Sequence, residues 1–413
     1  MDTREAHGAA LEPEEVKKVK VNLGFDPEQS FVIPDQVLAY YREAGKRGIA
    51  LETQWYSLFK QYEEAYPELA AEYTLLQQGK LPEGWDKDLP AFQPVDGKIA
   101  TRKAAGAFLN EVADRIPTLI GGAADLAPST GTHLAAYGSF TRSDHSGRNL
   151  HFGIREHAMG AIINGMAVTP GMRPFGATFL IFSDYMRPAI RLAAIMQVPA
   201  LFVFTHDSIG LGEDGTTHQP VEQLISLRAI PGLTVIRPAD ANETIVAWKT
   251  ALLCGGPVAL ALTRQKLPVI DQTAYAPATG LERGAYVLSD GEQAPVVLLM
   301  ASGSEVHLVL AAQQQLKEEG IPARVVSMPS WELFEQQEEG YRQQVLPDGL
   351  RARLAVEAGS PIGWRKYVTE DGAVIGVDRF GESAPGEEVM REYGFTVDHV
   401  VSKAKDLLER SQK

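Results

Sequence analysis

The run Leu150-His151-Phe152-Gly153-Ile154-Arg155-Glu156-His157-Ala158-Met159 sets one carboxylate, Glu156, between an apolar strand-like approach and a helix of small residues. A carboxyl in that setting is one that can be buried and can meet the ring of a bound cofactor. Three further polar stretches each follow an apolar run. Gly121 to Ser129 is the first. The second, Thr205-His206-Asp207-Ser208-Ile209-Gly210-Leu211-Gly212-Glu213-Asp214-Gly215, continues to His218-Gln219-Pro220, and Thr263-Arg264-Gln265 is the third. Brought to one edge of a sheet, they would form a pocket of two imidazoles, carboxylates and a guanidinium. His206 alone would more often be a structural histidine, but His206, Asp214 and His218 lie among glycines and no apolar periodicity accounts for them. Zinc fits poorly: there is no His-Glu-x-x-His, the lone Cys254 is elsewhere and the spacing matches no common ligand pattern, so no metal is expected on these residues. Arg102 and Arg264 are either surface charges or phosphate binders, since the guanidinium fork suits phosphate. Phe179, Phe182 and Tyr185, taken alone, would be core.

The elements that must position these residues read as two α/β units. From about 96 to 275, short apolar runs (117–122, 199–206, 233–238 and 257–264) alternate with helical stretches at 103–116, 157–168 and 184–196. That alternation predicts a parallel sheet with helices on both faces, whose ligands bind at the carboxyl ends of the strands. A second, smaller unit of the same class is expected over 285–413, from apolar runs at 295–301, 323–328 and 353–358. Residues 1–95 read differently. Pro34-Asp35 predicts a helix start, and Trp55, Leu58, Phe59, Tyr62, Tyr66 and Leu69 form a helical stripe. Pro82, Gly84, Pro90 and Pro94 punctuate an extended linker. This part looks like a helical connector that packs on something else.

At 413 residues, with 45% hydrophobic and 22% charged residues, the chain has the composition of an ordinary globular protein. A net charge of -14 argues against a nucleic-acid or anionic-membrane surface. One cysteine cannot form an internal disulfide. No apolar segment resembles a signal peptide or a membrane span, so a cytoplasmic location is expected.

Taken in order, these motifs resemble those of transketolase, the thiamine-diphosphate enzyme that moves two-carbon ketol units between sugar phosphates in the pentose phosphate pathway or Calvin cycle. The matching segments are His7-Gly8, Ala100-Thr101-Arg102-Lys103, Ala124 to Ser129 and the Glu156 run. They continue with Thr178 to Tyr185, His206 to Pro220, Arg237-Pro238-Ala239-Asp240 and Arg264-Gln265. The resemblance implies a thiamine diphosphate-binding fold, with the pyrimidine-binding domain at 96–275 and the family's C-terminal domain at 285–413. It implies that Glu156 hydrogen-bonds the aminopyrimidine, that Phe179, Phe182 and Tyr185 flank that ring and that Asp125 lies near it. His206, Asp214 and His218 would line the substrate channel, with the histidines moving protons. Arg102, Ser129, Arg264 and His206 would hold the sugar phosphate, and His7 would approach cofactor and substrate.

The family also carries a Gly-Asp-Gly motif for the cofactor's diphosphate and metal, which this sequence lacks. On that ground the chain is expected to lack the diphosphate-binding domain, with 1–95 a connector leading from it. A separate N-terminal subunit would then supply the domain, together with Mg2+ or Ca2+, in a homodimer or heterotetramer, and the chain alone would be inactive. Two other readings stay open: the beta subunit of a thiamine-dependent 2-oxo acid dehydrogenase, and a non-catalytic truncated product.

Overall fold

The structure, a computed structural model, describes Arg4, His7, Gly8 and residues 10–411. They fall into two compact units, divided between residues 74 and 75. The first contains α1 (Pro13–Asn22) and the 31-residue α2 (Asp35–Ala65), which starts directly after Pro34 as the Pro-Asp step predicts. α3 (Pro67–Gln77) follows. The expected aromatic stripe lies along one groove, but it is not a core. Trp55 stacks on Phe59 at 5.1 Å, Phe59 meets Tyr73 at 5.5 Å, and α2 buries none of its residues.

The second unit holds two sheets. The first has β1 (Leu119–Ala123), β2 (Asn149–His151), β3 (Arg173–Phe179), β4 (Leu201–Thr205), β5 (Thr234–Ile236) and β6 (Val258–Leu262). All are parallel, in the order β2-β1-β3-β4-β6-β5. Its helices are α4 (Thr101–Val112), α5 (Ala127–Thr130), α6 (Glu156–Ala167), α7 (Ser183–Met196), α8 (Gln223–Arg228) and α9 (Ala241–Leu253). The period-2 geometry of a strand explains why β4 and β6 are apolar throughout. Leu201, Val203, Val258, Leu260 and Leu262 join Phe108 of α4 and Trp248 of α9 on one face. Phe202, Phe204, Ala259 and Ala261 join Met159 and Ile163 of α6 and Met186 and Ile190 of α7 on the other.

The second sheet contains β7 (Tyr286–Ser289), β8 (Val297–Ala301), β9 (Ala323–Ser327), β10 (Arg353–Val356) and β11 (Ala373–Ile375). Its order is β11-β10-β8-β9-β7, parallel except for the antiparallel edge strand β7. α10 (Glu305–Glu318), α11 (Trp331–Glu335), α12 (Glu339–Val345), α13 (Gly386–Glu392) and α14 (Val397–Ser411) complete it. The α/β architecture is the one expected from the alternation of apolar runs. No helix among the described residues is long and apolar enough to cross a membrane.

Candidate active site

In the first sheet the strand order reverses between β1 and β3, whose connections leave in opposite directions, so a crevice opens at their carboxyl ends. Glu156 reaches it as the first residue of α6, a position where a carboxylate faces the positive end of a helix. Its side chain is 8% exposed and has no hydrogen-bond partner among the described residues. It lines a cavity of about 550 Å³ with Ala124, Asp125, Leu126, Ile154, Phe179, Phe182, Tyr185 and His218. Phe179 ends β3 and stacks on Phe182 at 5.9 Å, and Phe182 stacks on Tyr185 at 6.1 Å. The three rings thus form a ladder beside one carboxyl. Tyr185 is 66% exposed, which is not how a core aromatic sits. Asp125, the second residue after β1, holds φ +62°, a left-handed conformation that is costly for a non-glycine residue and turns the loop into the cavity wall.

His206, the first residue after β4, has φ +60° and is buried. Its ring lies 3.7 Å from that of Phe179, and its Nδ1 is 2.8 Å from Thr205 Oγ1. Burial, followed by the cations of Arg102 and Arg264 and by His218, pulls its pKa down to about 3. His206 is therefore a neutral donor or acceptor across the physiological range. His218, 5.6 Å from the ring of Phe182, joins the same wall. Asp214 is exposed on the same loop with no partner among the described residues.

The two expected phosphate-type arginines do converge. Arg102, at the start of α4, is partly buried and depressed in pKa by burial and by Arg264. Its Nη1 donates to the Ser129 carbonyl, while its buried Nε has no partner. Arg264 is exposed, without hydrogen bond or ion pair among the described residues. Two guanidiniums, neither ion-paired among the described residues, beside an imidazole suit an anion such as phosphate. Ser129 is brought to this group by its backbone. His7 lies in the other unit, exposed, its N–H donating to Arg4 O at 3.1 Å. Among the described residues no group of His, Cys, Asp or Glu could hold a metal.

Motif reading passed over what surrounds this wall. A neighbouring hollow of about 620 Å³ shares Asp125 and is lined by His133, His151 and Arg155. Arg237 and Asp240, noted only as part of a matching segment, turn out to anchor a buried seam between the two sheets. Arg237 Nε donates to Asp207 at 2.8 Å, and its Nη1 donates to Ser302 O at 2.9 Å and to Glu305. Glu357 accepts two bonds from Arg228 at 2.7 and 2.8 Å, with Trp364 Nε1 at 2.9 Å and Ser302 Oγ at 2.5 Å. The available signal was an arginine directly after an apolar strand.

Successive segments of the chain match three family models. Residues 1–82 match the transketolase thiamine diphosphate binding domain, 97–269 the transketolase pyrimidine binding domain and 284–396 the transketolase-like C-terminal domain. The transketolase of Halalkalibacterium halodurans is 53% identical over 405 residues, which cover 98% of this chain and 61% of that protein. A transketolase complex with sedoheptulose 7-phosphate from Pichia stipitis aligns with TM-score 0.92 at 41% identity, over 99% of this chain and 60% of that one. A split-gene transketolase, solved as an inactive β4 tetramer, aligns with TM-score 0.61 at 27% identity, over 76% of this chain and 99% of that one. The chain thus spans about three-fifths of the length of the full transketolases it matches.

The match over residues 1–82 corrects the expectation that the chain lacks the diphosphate-binding domain. The error came from weighing one loop motif, Gly-Asp-Gly, above a stretch of helices. A helical segment carries its likeness in the spacing of apolar and polar positions, which a search for a metal loop does not see. The expectations built on that absence lose their support with it: the separate N-terminal subunit, the metal ion confined to a missing domain and the inactivity of the isolated chain. With three transketolase domain models matched in order over most of its length, the chain belongs to the transketolase family.

Proposed function

We propose that this chain catalyses the transfer of a two-carbon ketol unit between sugar phosphates with thiamine diphosphate. The observation that carries the reading is a buried carboxyl, Glu156, facing a cavity walled by Phe179, Phe182 and Tyr185, with the Arg102–Arg264 anion site beside it. The Pichia stipitis relatives, in complex with xylulose 5-phosphate and sedoheptulose 7-phosphate, point to the same substrate class. Bound thiamine diphosphate would supply the electron sink that lets a ketose carbon–carbon bond break. The chain's residues do the rest. Glu156 would hydrogen-bond a ring nitrogen of a bound aminopyrimidine and so favour the tautomer in which that ring can act as a base. Phe179, Phe182 and Tyr185 keep water from that ring, and Asp125 closes the wall.

Asp214, His206 and His218 bond the sugar hydroxyls, His206 as a neutral imidazole. Arg102 and Arg264 clamp the phosphate, with Ser129 at the rim. The 96–275 segment is then the pyrimidine-binding domain and 285–413 the C-terminal domain. We also infer a homodimer. Ile162 and Val168 of the α6 side and Leu192, Ile195 and Met196 of α7 are 42–61% exposed, an apolar face of the kind that a second copy covers. Sedimentation velocity returning only monomer at micromolar concentration would refute that inference.

The reading is tested by assaying ketol transfer from xylulose 5-phosphate with thiamine diphosphate and Mg2+, comparing the chain with its Glu156→Ala variant. The variant should lose at least about a thousand-fold in kcat, given what one preorganised group contributes in a dry site, while its melting temperature stays within a few degrees. Equal turnover by both proteins would end the assignment of Glu156.

A further inference from the structure

We propose that Arg237 is a positioning residue that makes the second α/β domain the frame holding the His206–His218 loop and Arg264 against the sugar phosphate. The inference rests on the sugar-phosphate reading of the pocket. His206 sits in a left-handed conformation at φ +60°, which a histidine does not keep without outside restraint. The restraint is one residue away. Asp207 is fully buried and bonded to Arg237 Nε, and Arg237 carries the connection across to the turn at the end of β8, to Ser302 O and Glu305. Gly303 N donates back to Arg237 O at 3.1 Å. Gly303 itself has φ +60°, and a Cβ there would lie 2.6 Å from the guanidinium carbon, so the turn is shaped to receive that side chain.

The same turn reaches the second phosphate-side residue. Ser304 Oγ donates to Glu305 at 2.6 Å and accepts from Gln265 Nε2 at 3.3 Å, and Gln265 adjoins Arg264. Farther along the loop, Gln219 Nε2 donates to Gly212 O at 2.8 Å and to Glu382 O at 3.0 Å, and Ser383 Oγ donates to Glu213 O at 2.6 Å. A Cβ at Gly381 would collide with Gln219 Oε1, which fixes how closely the two domains approach there. Every segment of the loop that carries His206, Asp214 or His218 is thus tied to the second domain. A lysine at 237 keeps the charge and loses the planar fork that spans Asp207 and the turn.

The experiment compares wild type, Arg237→Lys, Asp207→Asn and Arg264→Ala, with Arg353→Lys as a control buried in the second domain away from the loop. Calorimetry with ribose 5-phosphate and with ribose reads the phosphate preference. Histidine-15N spectra of the ligand-free protein read the His206 ring and its bond to Thr205. Arg237→Lys and Asp207→Asn should weaken ribose 5-phosphate at least ten-fold, leave ribose unchanged and shift the His206 resonances. Arg353→Lys should lower the melting temperature without doing either. Unmoved His206 resonances in a folded Arg237→Lys or Asp207→Asn protein overturn the inference, whatever the ligand data. Equal affinity of wild type and Arg264→Ala for ribose 5-phosphate overturns instead the sugar-phosphate reading. Should Arg237→Lys not fold, the isosteric Asp207→Asn decides.

Discussion

The strand-end pocket and the seam between the sheets are built from the same residue types and treat them in opposite ways. In the seam, Arg228, Arg237, Asp207, Glu305 and Glu357 have side chains at most 1% exposed, and each charge meets an opposite charge. In the pocket, Glu156, Asp214 and Arg264 have no partner among the described residues, while Arg102 and Arg264 repel each other. Even in the seam Arg237 Nη2, Asp207 Oδ1 and Arg228 Nε lack a hydrogen bond, so pairing there is dense rather than complete. Charges spent on one another hold a structure; charges held apart are available to a ligand. That difference separates stability from chemistry in this chain.

Breaking the seam should have the largest effect on folding. Burial pushes the Glu357 carboxyl up, but Arg228, then Arg237 and Ser302, outweigh it and hold the pKa near 2. Arg228→Met removes the bidentate partner, leaves a carboxylate buried beside Trp364, and should cost roughly 3–5 kcal/mol in urea unfolding. A loss below about 1 kcal/mol would mean that the seam is not where charge pairing supports the fold.

A second part of the seam has no ion pair among the described residues, and there the sign reverses. Burial raises Glu243 to about 7, and nearby Asp240 to about 6, although Glu243 accepts bonds from Ser327 Oγ at 2.6 Å, Ala239 N at 2.7 Å and Tyr286 Oη at 2.8 Å. The folded state therefore binds protons that the unfolded chain has released. Stability from this pair is complete below about pH 4 and is lost as pH rises through about 7, the reverse of Glu357, whose contribution is present above about 4.5 and is lost as pH falls through about 2. Glu243→Gln should flatten the decline of melting temperature between pH 5 and 7. An unchanged slope would show that Glu243 stays ionised in the fold.

The smallest stability effect belongs to the pocket. Arg264→Ala should change unfolding free energy by no more than about 0.5 kcal/mol, as for an exposed unpartnered residue. The same change should raise the KM for phosphorylated sugars roughly ten-fold or more, the scale of one charge-assisted hydrogen bond, and spare unphosphorylated analogues. A variant that loses stability and keeps its KM would place Arg264 in the structure rather than the site.

The sequence carried these two regions unequally. β4 and β6 were readable because five consecutive buried residues on a doubly covered strand leave a continuous apolar run. β3 was not read as a strand, because Arg173-Pro174 and Gly176 look like a turn, although all seven residues are buried. β2 was read only as a strand-like approach to Glu156, β11 lies outside the three apolar runs read in its domain, and β7 pairs antiparallel against the pattern of its sheet. The pocket residues were readable because strand ends cluster them in short polar motifs. The seam was not, since Asp207, Arg237, Glu305 and Glu357 become neighbours only when two sheets dock. In 1–95 the helices were legible in the apolar spacing, whereas the expected lack of a diphosphate-binding domain rested on one absent loop motif.

α2 shows what a helix is without such docking. Its 31 residues bury no side chain, so only its own backbone ladder protects its amide hydrogens. Those hydrogens exchange with solvent through the opening of a turn or two, on a clock set by local helix propensity and insensitive to the seam. The amides of β4, covered on both faces, exchange only when the sheet itself comes apart. Two exchange clocks in one chain follow directly from where its apolar side chains are placed.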